Sequence, residues 1–237
     1  MESIADFRRI PISNTPTTVI IDYGMGNLFS VKNACEKVGL SVTVTASRQE
    51  IQKAQAVILP GVGAFGDAMK ELHRLDLGSL LKEIAASETP FFGICLGMQL
   101  LMTQSHEFGQ HRGLDIIPGH VVRFEHPVEP DGTKLKVPEV QWNRVQKISS
   151  EKDTWKGTLL DGISDGAFFY FVHSFYSVPD DARYTLSTSS YGQHTYCSTL
   201  RHKNIFACQY HPERSGEVGL KMYHNFAMTI RQRFNER

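Results

Sequence analysis

The sequence predicts an α/β fold in which a mostly parallel sheet is flanked by helices and extended by an added antiparallel section. In the first half, short apolar strands alternate with amphipathic stretches at helical spacing, a pattern typical of parallel sheets. In the second half, short strand-like runs separated by Asp-Gly and Tyr-Gly turns dominate, which favours antiparallel pairing. A chain of 237 residues is long enough for one such domain with a substantial core.

The predicted domain organisation is an extension over residues 1–16 followed by a single domain over residues 17–237. The extension is rich in Ser, Thr, Asn and Pro and could be mobile, because so polar and proline-broken a stretch predicts no regular element. We detect no internal repeat, low-complexity tract or linker in the rest of the chain.

The elements predicted for the first half follow the alternation of apolar and amphipathic stretches. They are a strand over 19–21, a glycine-rich turn, a helix over 28–38 closed by Gly39, a strand over 41–45, a helical turn over 48–53, a strand over 56–59, a loop over 60–66 and a helix over 67–86. The apolar run before Cys95 predicts a further strand, with a helix beginning near Met98.

The second half is predicted to consist of short strands and a closing helix. The strands are expected over 121–125, 135–137, 168–175, 184–190, 195–201 and 205–210, and the helix over 219–234, where basic residues near the end suit a helix C-terminus. The strand over 168–175 is aromatic and includes His173, which we interpret as a core residue.

Composition narrows the kinds of partner. Lys plus Arg and Asp plus Glu number 25 each, so the chain lacks the basic excess needed to bind nucleic acid or an anionic membrane. Every apolar run is too short to span a membrane, and the N-terminus has no apolar signal segment. We therefore expect a cytoplasmic protein whose partners are small molecules and proteins.

The cysteines and histidines predict neither a disulfide framework nor a metal site, and we expect no cofactor. The four cysteines are not closely paired, which indicates free thiols. The histidines of the polar middle lack the spacing of metal ligands, and we interpret them as surface residues. The residues concerned are Cys35, Cys95, Cys197, Cys208, His106, His111, His120 and His126.

Cys95 is the first candidate for chemistry. Gly93 and Gly97 bracket it in the spacing Gly-x-nucleophile-x-Gly, which is typical of a strand-to-helix elbow that presents a nucleophile at the top of an α/β sheet. A helix N-terminus would favour the thiolate form of Cys95 over the thiol. The alternative is a core cysteine in a buried strand.

The loop Pro60-Gly61-Val62-Gly63-Ala64-Phe65-Gly66 is the second candidate. It lacks the Lys-Ser/Thr ending and the glycine spacing of phosphate-binding loops. If the loop lies beside Cys95, the N–H of Val62 or Gly63 and the N–H of Leu96 would form an oxyanion hole. The alternative is a glycine turn that serves only packing.

His211 and Glu213 are the third candidates, in the run Gln209-Tyr210-His211-Pro212-Glu213. In extended backbone, residues two apart point the same way, and the proline fixes the bend between these two. With Cys95 they would form a triad in which His211 moves the proton and Glu213 orients the imidazole. Taken alone, such residues also occur in exposed turns.

Five motifs now occur in order along the chain: residues 22–28 (DYGMGNL), 60–69 (PGVGAFGDAM), 93–99 (GICLGMQ), 170–174 (YFVHS) and 211–213 (HPE). Together they closely resemble the class I, triad-type glutamine amidotransferases, and within them the glutaminase subunits of imidazole glycerol phosphate synthase. The elbow and His-Pro-Glu are common to the whole class, whereas the second and fourth motifs point to this branch. The resemblance implies a flavodoxin-like class I glutamine amidotransferase fold from about Val19 onward.

The resemblance also implies an activity and a site. Cys95 would attack the amide carbon of L-glutamine, ammonia would leave, and water would release glutamate from the thioester, with His211 as general base and acid and Glu213 as its orienter. Other residues match positions that bind the glutamine substrate, namely Gly63, Gln99 and Ser174.

The partner implied by the resemblance is a (β/α)8 cyclase or synthase subunit. It would form a heterodimer with this chain, receive the ammonia through an internal channel and make imidazole glycerol phosphate and an aminoimidazole carboxamide ribotide in histidine biosynthesis. The residues expected to face it are Asn27, Trp142, Asn143, Tyr170 and Arg214.

Two departures leave open which synthase the chain supplies. Gln141 stands where the family usually has Gly before Trp-Asn, and Arg214 stands where it usually has Lys after His-Pro-Glu. A paralogous glutaminase that supplies a different synthase, such as a cell-surface sugar amidotransferase, is therefore one alternative. The others are a stand-alone cysteine hydrolase and a catalytically silent binding subunit.

Overall fold

A computed structural model describes residues 17–148 and 154–235, and it confirms the α/β prediction. Within these ranges, 13 strands form two sheets with six α-helices around them. The predicted extension over residues 1–16 lies outside the described residues. The single domain over residues 17–237 stays a prediction.

The larger sheet carries the parallel section. In spatial order its strands are β2 (Ser41–Thr45), β1 (Thr17–Ile21), β3 (Ala56–Leu59), β4 (Phe91–Ile94), β13 (Ile205–Cys208), β12 (His194–His202), β11 (Thr185–Tyr191), β8 (Glu139–Lys147) and β9 (Ala167–His173). The first five run parallel to one another, and the remaining four continue the sheet by antiparallel pairing. The carboxyl ends of β4 and β13 therefore lie side by side.

The smaller sheet and the helices complete the fold. The smaller sheet contains, in spatial order, β10 (Phe175–Pro179), β7 (Ile117–Arg123), β5 (Met102–Ser105) and β6 (His111–Arg112). The helices are α1 (Leu28–Lys37), α2 (Arg48–Gln52), α3 (Phe65–Arg74), α4 (Gly78–Ala86), α5 (Leu96–Leu100) and α6 (Gly216–Asn235). The side chain of Asn27 caps α1 by accepting a hydrogen bond from the Ser30 N–H at 3.3 Å.

The core lies on both faces of the parallel section, which explains why its strands are apolar without alternation. Val19 and Ile21 pack on one face with α3 and α4, while Ile20 packs on the other with α1 and α6. Along β4, Phe91 and Phe92 divide between the same two faces. Strands buried on both sides hold the site at their carboxyl ends on a rigid support.

The single helix predicted over 67–86 is wrong, because the chain folds there as α3 and α4. Asp76 adopts φ +52°, and the N–H of Leu77 donates to the Leu72 carbonyl at 2.9 Å, so the end of α3 is a Schellman motif. Helical spacing continues across the break because Leu77 and Leu80 bury against the same core as Leu72. Helix α5 likewise begins at Leu96 and not near Met98.

The second half differs from the prediction in four places, the first being that the strand predicted over 121–125 is β7, which spans Ile117–Arg123. The strand predicted over 168–175 divides at Ser174, since β9 belongs to the larger sheet and β10 to the smaller. Residues 135–137 form no strand; only an isolated bridge joins Val128 and Lys134. Strand β8 was not predicted, because its residues from Val140 to Arg144 are almost all exposed and show no alternation.

Candidate active site

Cys95 lies at the turn between β4 and α5, with backbone angles of φ +53° and ψ −109°. This strained conformation is the one expected for a nucleophile elbow. A Cβ atom on Gly97 would lie 1.8 Å from the Leu59 carbonyl oxygen, so only glycine fits there. A Cβ atom on Gly93 would lie 3.1 Å from the Gly97 carbonyl oxygen. The elbow geometry is therefore present, and the bracketing glycines allow it.

His211 and Glu213 follow β13, whose carboxyl end neighbours that of β4. The His211 Nδ1 and Glu213 Oε1 atoms are 2.7 Å apart, and both side chains are almost fully buried. Two contacts fix the backbone of His211: its N–H donates to the Tyr170 carbonyl at 2.9 Å, and its carbonyl accepts from the Ser215 hydroxyl at 2.7 Å. The imidazole is thereby held in one orientation beside Cys95.

The electrostatics of the site favour a charged imidazole. Burial by itself would lower the pKa of His211. The negative charge of Cys95, together with the charge and hydrogen bond of the Glu213 carboxylate, outweighs burial and raises the pKa of His211 from 6.5 to about 10. The arrangement thus favours a charged imidazole beside Cys95, the residue predicted to act as the nucleophile.

A cleft of about 340 Å³ opens over the elbow. It contains the three predicted oxyanion-hole residues, the three predicted substrate-binding residues and two members of the predicted triad. The lining residues are Val62, Gly63, Cys95, Leu96, Gln99, Glu107, Pro138, Val172, His173, Ser174, Phe175 and His211. Glu213 stands behind His211 and does not line the cleft.

The glycine loop does lie beside the elbow. A Cβ atom on Gly61 would lie 2.2 Å from the Tyr23 hydroxyl, which itself donates to the Pro60 carbonyl at 2.8 Å. Gly63 adopts φ +111°, a conformation that favours glycine, and borders the cleft with Leu96. Leu96 opens α5, and the first N–H groups of a helix have no partner within it. The oxyanion hole itself stays a prediction.

Glu107 is a cleft residue that the sequence analysis missed. It follows β5, and its carboxylate accepts a hydrogen bond from the Phe65 N–H at 2.5 Å. Burial raises the pKa of Glu107, in part offset by that hydrogen bond. Its signal was weak because it lies in a polar, His-rich interval of the sequence. Only the folded chain brings that interval to the cleft.

Glu139 was also missed, and it changes the interpretation of His173. His173 is buried, as predicted for a core residue, but it also lines the cleft and faces Glu139 at 3.3 Å. The Glu139 carboxylate further accepts hydrogen bonds from Tyr196, Gln141 and Asn143. The fully buried Glu139 carboxylate thus accepts three side-chain hydrogen bonds and lies against the His173 imidazole.

The residues predicted to face a partner differ in their exposure and in their contacts. Trp142 is 52% exposed and packs edge-on against Tyr170, and the guanidinium of Arg214 lies 4.4 Å from the centre of the Tyr170 ring. Asn143 instead turns inward, because its amide donates to Glu139 and to the Ser190 carbonyl. Asn27 caps α1, as described above.

Three general features concern metal sites, membrane spans and cysteines. Across residues 17–148 and 154–235, no group of three or more His, Cys, Asp or Glu side chains is arranged to hold a metal ion. No helix in that part of the chain has the length and apolar character needed to cross a membrane. All four cysteines are buried free thiols.

Comparison with known proteins decides the family. The family model "Glutamine amidotransferase class-I" matches residues 19–230. The chain belongs to the class-I glutamine amidotransferase family. Solved structures with low sequence identity support the amidotransferase fold: a protein named as part of a GMP synthase from Thermoplasma acidophilum has a TM-score of 0.67 at 17% identity, and the match covers 94% of this chain and 98% of that protein. A chain of PurLQS from Thermotoga maritima has a TM-score of 0.64 at 15% identity, covering 93% and 99%.

Curated relatives confirm the resemblance to one branch of the amidotransferases. The "Imidazole glycerol phosphate synthase subunit HisH" of Syntrophotalea carbinolica is 45% identical over 208 residues, covering 88% of this chain and 98% of the relative. The proteins of the same name from Geobacter metallireducens and Aquifex aeolicus are 45% and 43% identical, and the matches cover 98% and 95% of those relatives.

Proposed function

We propose that this chain is the glutaminase subunit of an imidazole glycerol phosphate synthase, which hydrolyses L-glutamine and supplies ammonia to a synthase subunit in histidine biosynthesis. The observation that carries the proposal is the Cys95 elbow facing the His211–Glu213 pair in a cleft. This geometry occurs in a chain 45% identical to a curated HisH protein over nearly its whole length.

In the proposed mechanism, the Cys95 thiolate attacks the amide carbon of glutamine, and a carbon–sulfur bond replaces the carbon–nitrogen bond. His211 gives its proton to the leaving nitrogen, so ammonia departs as a neutral molecule. The neutral imidazole then takes a proton from water, and the water oxygen bonds to the thioester carbon. The carbon–sulfur bond breaks, which releases glutamate and leaves the Cys95 thiolate beside the reprotonated His211. Glu213 keeps Nδ1 protonated and thereby presents Nε2 to the reaction.

The surroundings of Cys95 have complementary roles in this proposal. The N–H groups of Leu96 and of Val62 or Gly63 stabilise the oxyanion that forms at each attack. At the amino-acid end of the substrate, Gly63 and Ser174 offer backbone groups to glutamine, while Gln99 shapes the floor of the cleft. The carboxylate of Glu107, also in the cleft, complements the α-ammonium group of glutamine.

The partner would be a (β/α)8 synthase subunit, with which this chain forms a cytoplasmic heterodimer that acts as a lyase. The outward face of the β8–β9 pair supports its docking site, because Trp142, Val140 and Phe168 are each about half exposed there. Val172 lies opposite Val140 in the same pair and lines the cleft. A synthase seated on this face would cover the mouth of the site and receive ammonia through a channel before water protonates it.

The test is a glutaminase assay with and without the histidine-pathway synthase and its ribonucleotide ligand. Glutamate release that is stimulated by both, and that disappears in Cys95→Ala, would support the proposal. Stimulation only by a sugar-amidating synthase would assign the chain to the paralogous alternative. Strong activity without a partner would indicate a stand-alone hydrolase, and no activity under any condition a silent binding subunit. Co-purification of the tagged chain with the synthase gives an independent measure of the partner.

A further inference from the structure

Two buried glutamine side chains form a continuous hydrogen-bonded chain that ends at the sulfur of Cys95. The Gln99 Nε2 atom donates to the Phe175 carbonyl at 2.8 Å and to Gln209 Oε1 at 3.1 Å. The Gln209 Nε2 atom lies 3.7 Å from Cys95 Sγ, within hydrogen-bond range for sulfur. Gln209 is fully buried and Gln99 is 5% exposed.

The backbone carbonyl of Phe175 fixes the orientation of both amides. A side-chain amide can in general be placed either way round, and its neighbours decide. A carbonyl accepts only, so the group of Gln99 that faces Phe175 is its NH₂. The second hydrogen of that NH₂ requires an acceptor, so Gln209 presents its oxygen to Gln99 and its own NH₂ to Cys95. The Phe175 carbonyl, acting through Gln99, therefore directs the NH₂ group of Gln209 at the sulfur of Cys95.

The backbone of Gln209 is equally well held. Its N–H donates to the Ser198 carbonyl at 2.9 Å, directly after β13. Gln209 is two residues before His211, so the same short segment brings both groups to Cys95. A donor directed at sulfur stabilises the negatively charged thiolate more than the neutral thiol. Because Gln209 is fully buried, solvent water does not reach its amide and cannot replace its hydrogen bond to Cys95.

We propose that Gln209 is a catalytic residue whose amide stabilises the Cys95 thiolate, and that Gln99 is the positioning residue that orients this amide. The inference rests on the proposed function in that Cys95 is taken as the nucleophile. It also sharpens the role of Gln99: both of its amide hydrogens are used inside the chain, so its side chain does not donate to glutamine in this arrangement.

The experiment measures alkylation of Cys95 by iodoacetamide as a function of pH, in the full chain without glutamine, with mass spectrometry of the peptide that contains Cys95. In Gln209→Met, which keeps the shape but removes the donor, alkylation near about pH 6 should slow by about tenfold, and the midpoint of the profile should move to higher pH. Gln99→Met should cause a smaller change in the same direction. The double variant should resemble Gln209→Met alone, because Gln99 acts through Gln209.

Controls separate this role from a purely structural one. Gln146→Met, at an exposed position of β8, should leave the profile unchanged. At strongly alkaline pH, where any accessible thiol is ionised, Gln209→Met should react as fast as the unmodified chain. If Gln209→Met does not fold, Gln209→Asn withdraws the same amide by one methylene and should slow alkylation near about pH 6 in the same way.

The two proposals fail in distinguishable ways. An unchanged pH profile in a folded Gln209 variant, or additive effects of the Gln99 and Gln209 substitutions, would overturn the inference while leaving glutaminase activity possible. A shifted profile in a chain that shows no glutaminase activity with any synthase would support the role of Gln209 at the sulfur and would overturn the proposed function.

Discussion

The Glu139 carboxylate and the His173 imidazole are buried against each other, with Oε2 and Nε2 3.3 Å apart on directly opposed positions of β8 and β9. The pair connects the cleft with the residues beside the exposed Trp142. His173 lines the cleft, and its Nδ1 lies 2.9 Å from the Phe175 carbonyl, the same carbonyl that anchors Gln99. Glu139 is bonded to Asn143, next to the exposed Trp142. A carboxylate without solvent contact depends on all its partners, because an unpaired buried charge is costly.

Replacing Glu139 by glutamine should therefore destabilise the fold. Glutamine keeps the size of the side chain but leaves His173 without its charged partner, and we expect a loss of about 2 kcal/mol in the free energy of unfolding. Urea unfolding followed by circular dichroism measures it. Glu83→Gln, at an exposed position of α4, should change stability by less than about 0.5 kcal/mol. Equal stability of the two variants would contradict the prediction.

The lowered pKa of the Glu139 carboxyl predicts that the stability of the fold decreases at acid pH. Burial alone would raise the pKa of Glu139, but the hydrogen bond and charge of His173, with the hydrogen bonds of Gln141 and Tyr196, hold it below the ordinary value of 4.5. Because the folded-state pKa is depressed, the stability from Glu139 is fully present above about pH 4.5 and is lost as the pH falls through the folded value. Unfolding free energies between about pH 3 and 6 should show a decrease towards acid that is smaller in Glu139→Gln.

The raised pKa of His211 predicts that the stability of the fold decreases at alkaline pH. Its pKa is raised from 6.5 to about 10, so its stabilising charge is fully present below pH 6.5 and is lost as the pH rises to about 10. The difference in unfolding free energy between the unmodified chain and His211→Gln should accordingly shrink across that window. His126→Gln, at an exposed position, serves as the matched control for the replacement of a histidine by glutamine. A constant difference for His211→Gln would refute the imidazolium assignment.

Gly97→Ala should prevent normal folding of the elbow. The added Cβ would lie 1.8 Å from the Leu59 carbonyl, which belongs to a buried strand and has no room to move. We expect a loss of at least about 3 kcal/mol, measured by urea unfolding. Gly132→Ala provides the comparison, because its φ is +86° but no atom lies within 4 Å of the added Cβ, so only about 1 kcal/mol of backbone strain is expected.

Trp142→Ala tests the docking face. If the β8–β9 face receives the synthase, removing this half-exposed ring should weaken binding by about 2 kcal/mol, or about 30-fold in Kd, without loss of stability. Titration calorimetry with the synthase subunit measures the change. Met228→Ala removes a similarly exposed apolar side chain from α6 and should leave Kd unaltered. Identical Kd values for both variants would place the synthase elsewhere.

Glu107→Gln tests the substrate assignment. Loss of the carboxylate should raise KM for glutamine about tenfold or more, since a hydrogen bond to a charged group contributes about 1.5–3 kcal/mol. The effect on kcat should be small, because Glu107 is not expected to contact the reacting amide. The Glu83→Gln protein again supplies the control. A large fall in kcat at unchanged KM would assign Glu107 to chemistry instead of binding.

The sequence by itself determined the features that depend on neighbours along the chain. The parallel strands were recognisable because burial on both faces makes them apolar without interruption, and the elbow because Gly93 and Gly97 are required at fixed spacing from Cys95. His211 and Glu213 were recognisable because they act on each other two residues apart. Local sterics and local hydrogen bonding leave such signals within a few residues.

Only the tertiary structure decided which residues that are distant in the sequence lie in contact. Gln209 and Cys95 are 114 positions apart, and Gln99 and Phe175 are 76 apart. Glu139 lies in a strand whose exposed residues gave no alternation, so neither the strand nor its buried carboxylate could be predicted. A buried amide or carboxylate has no preferred spacing in sequence, because the partners that satisfy it come from whichever strands the sheet places beside it. The residues of the predicted triad could be named from the sequence, whereas the buried groups around them, such as Gln209 and Glu139, became visible only in the fold.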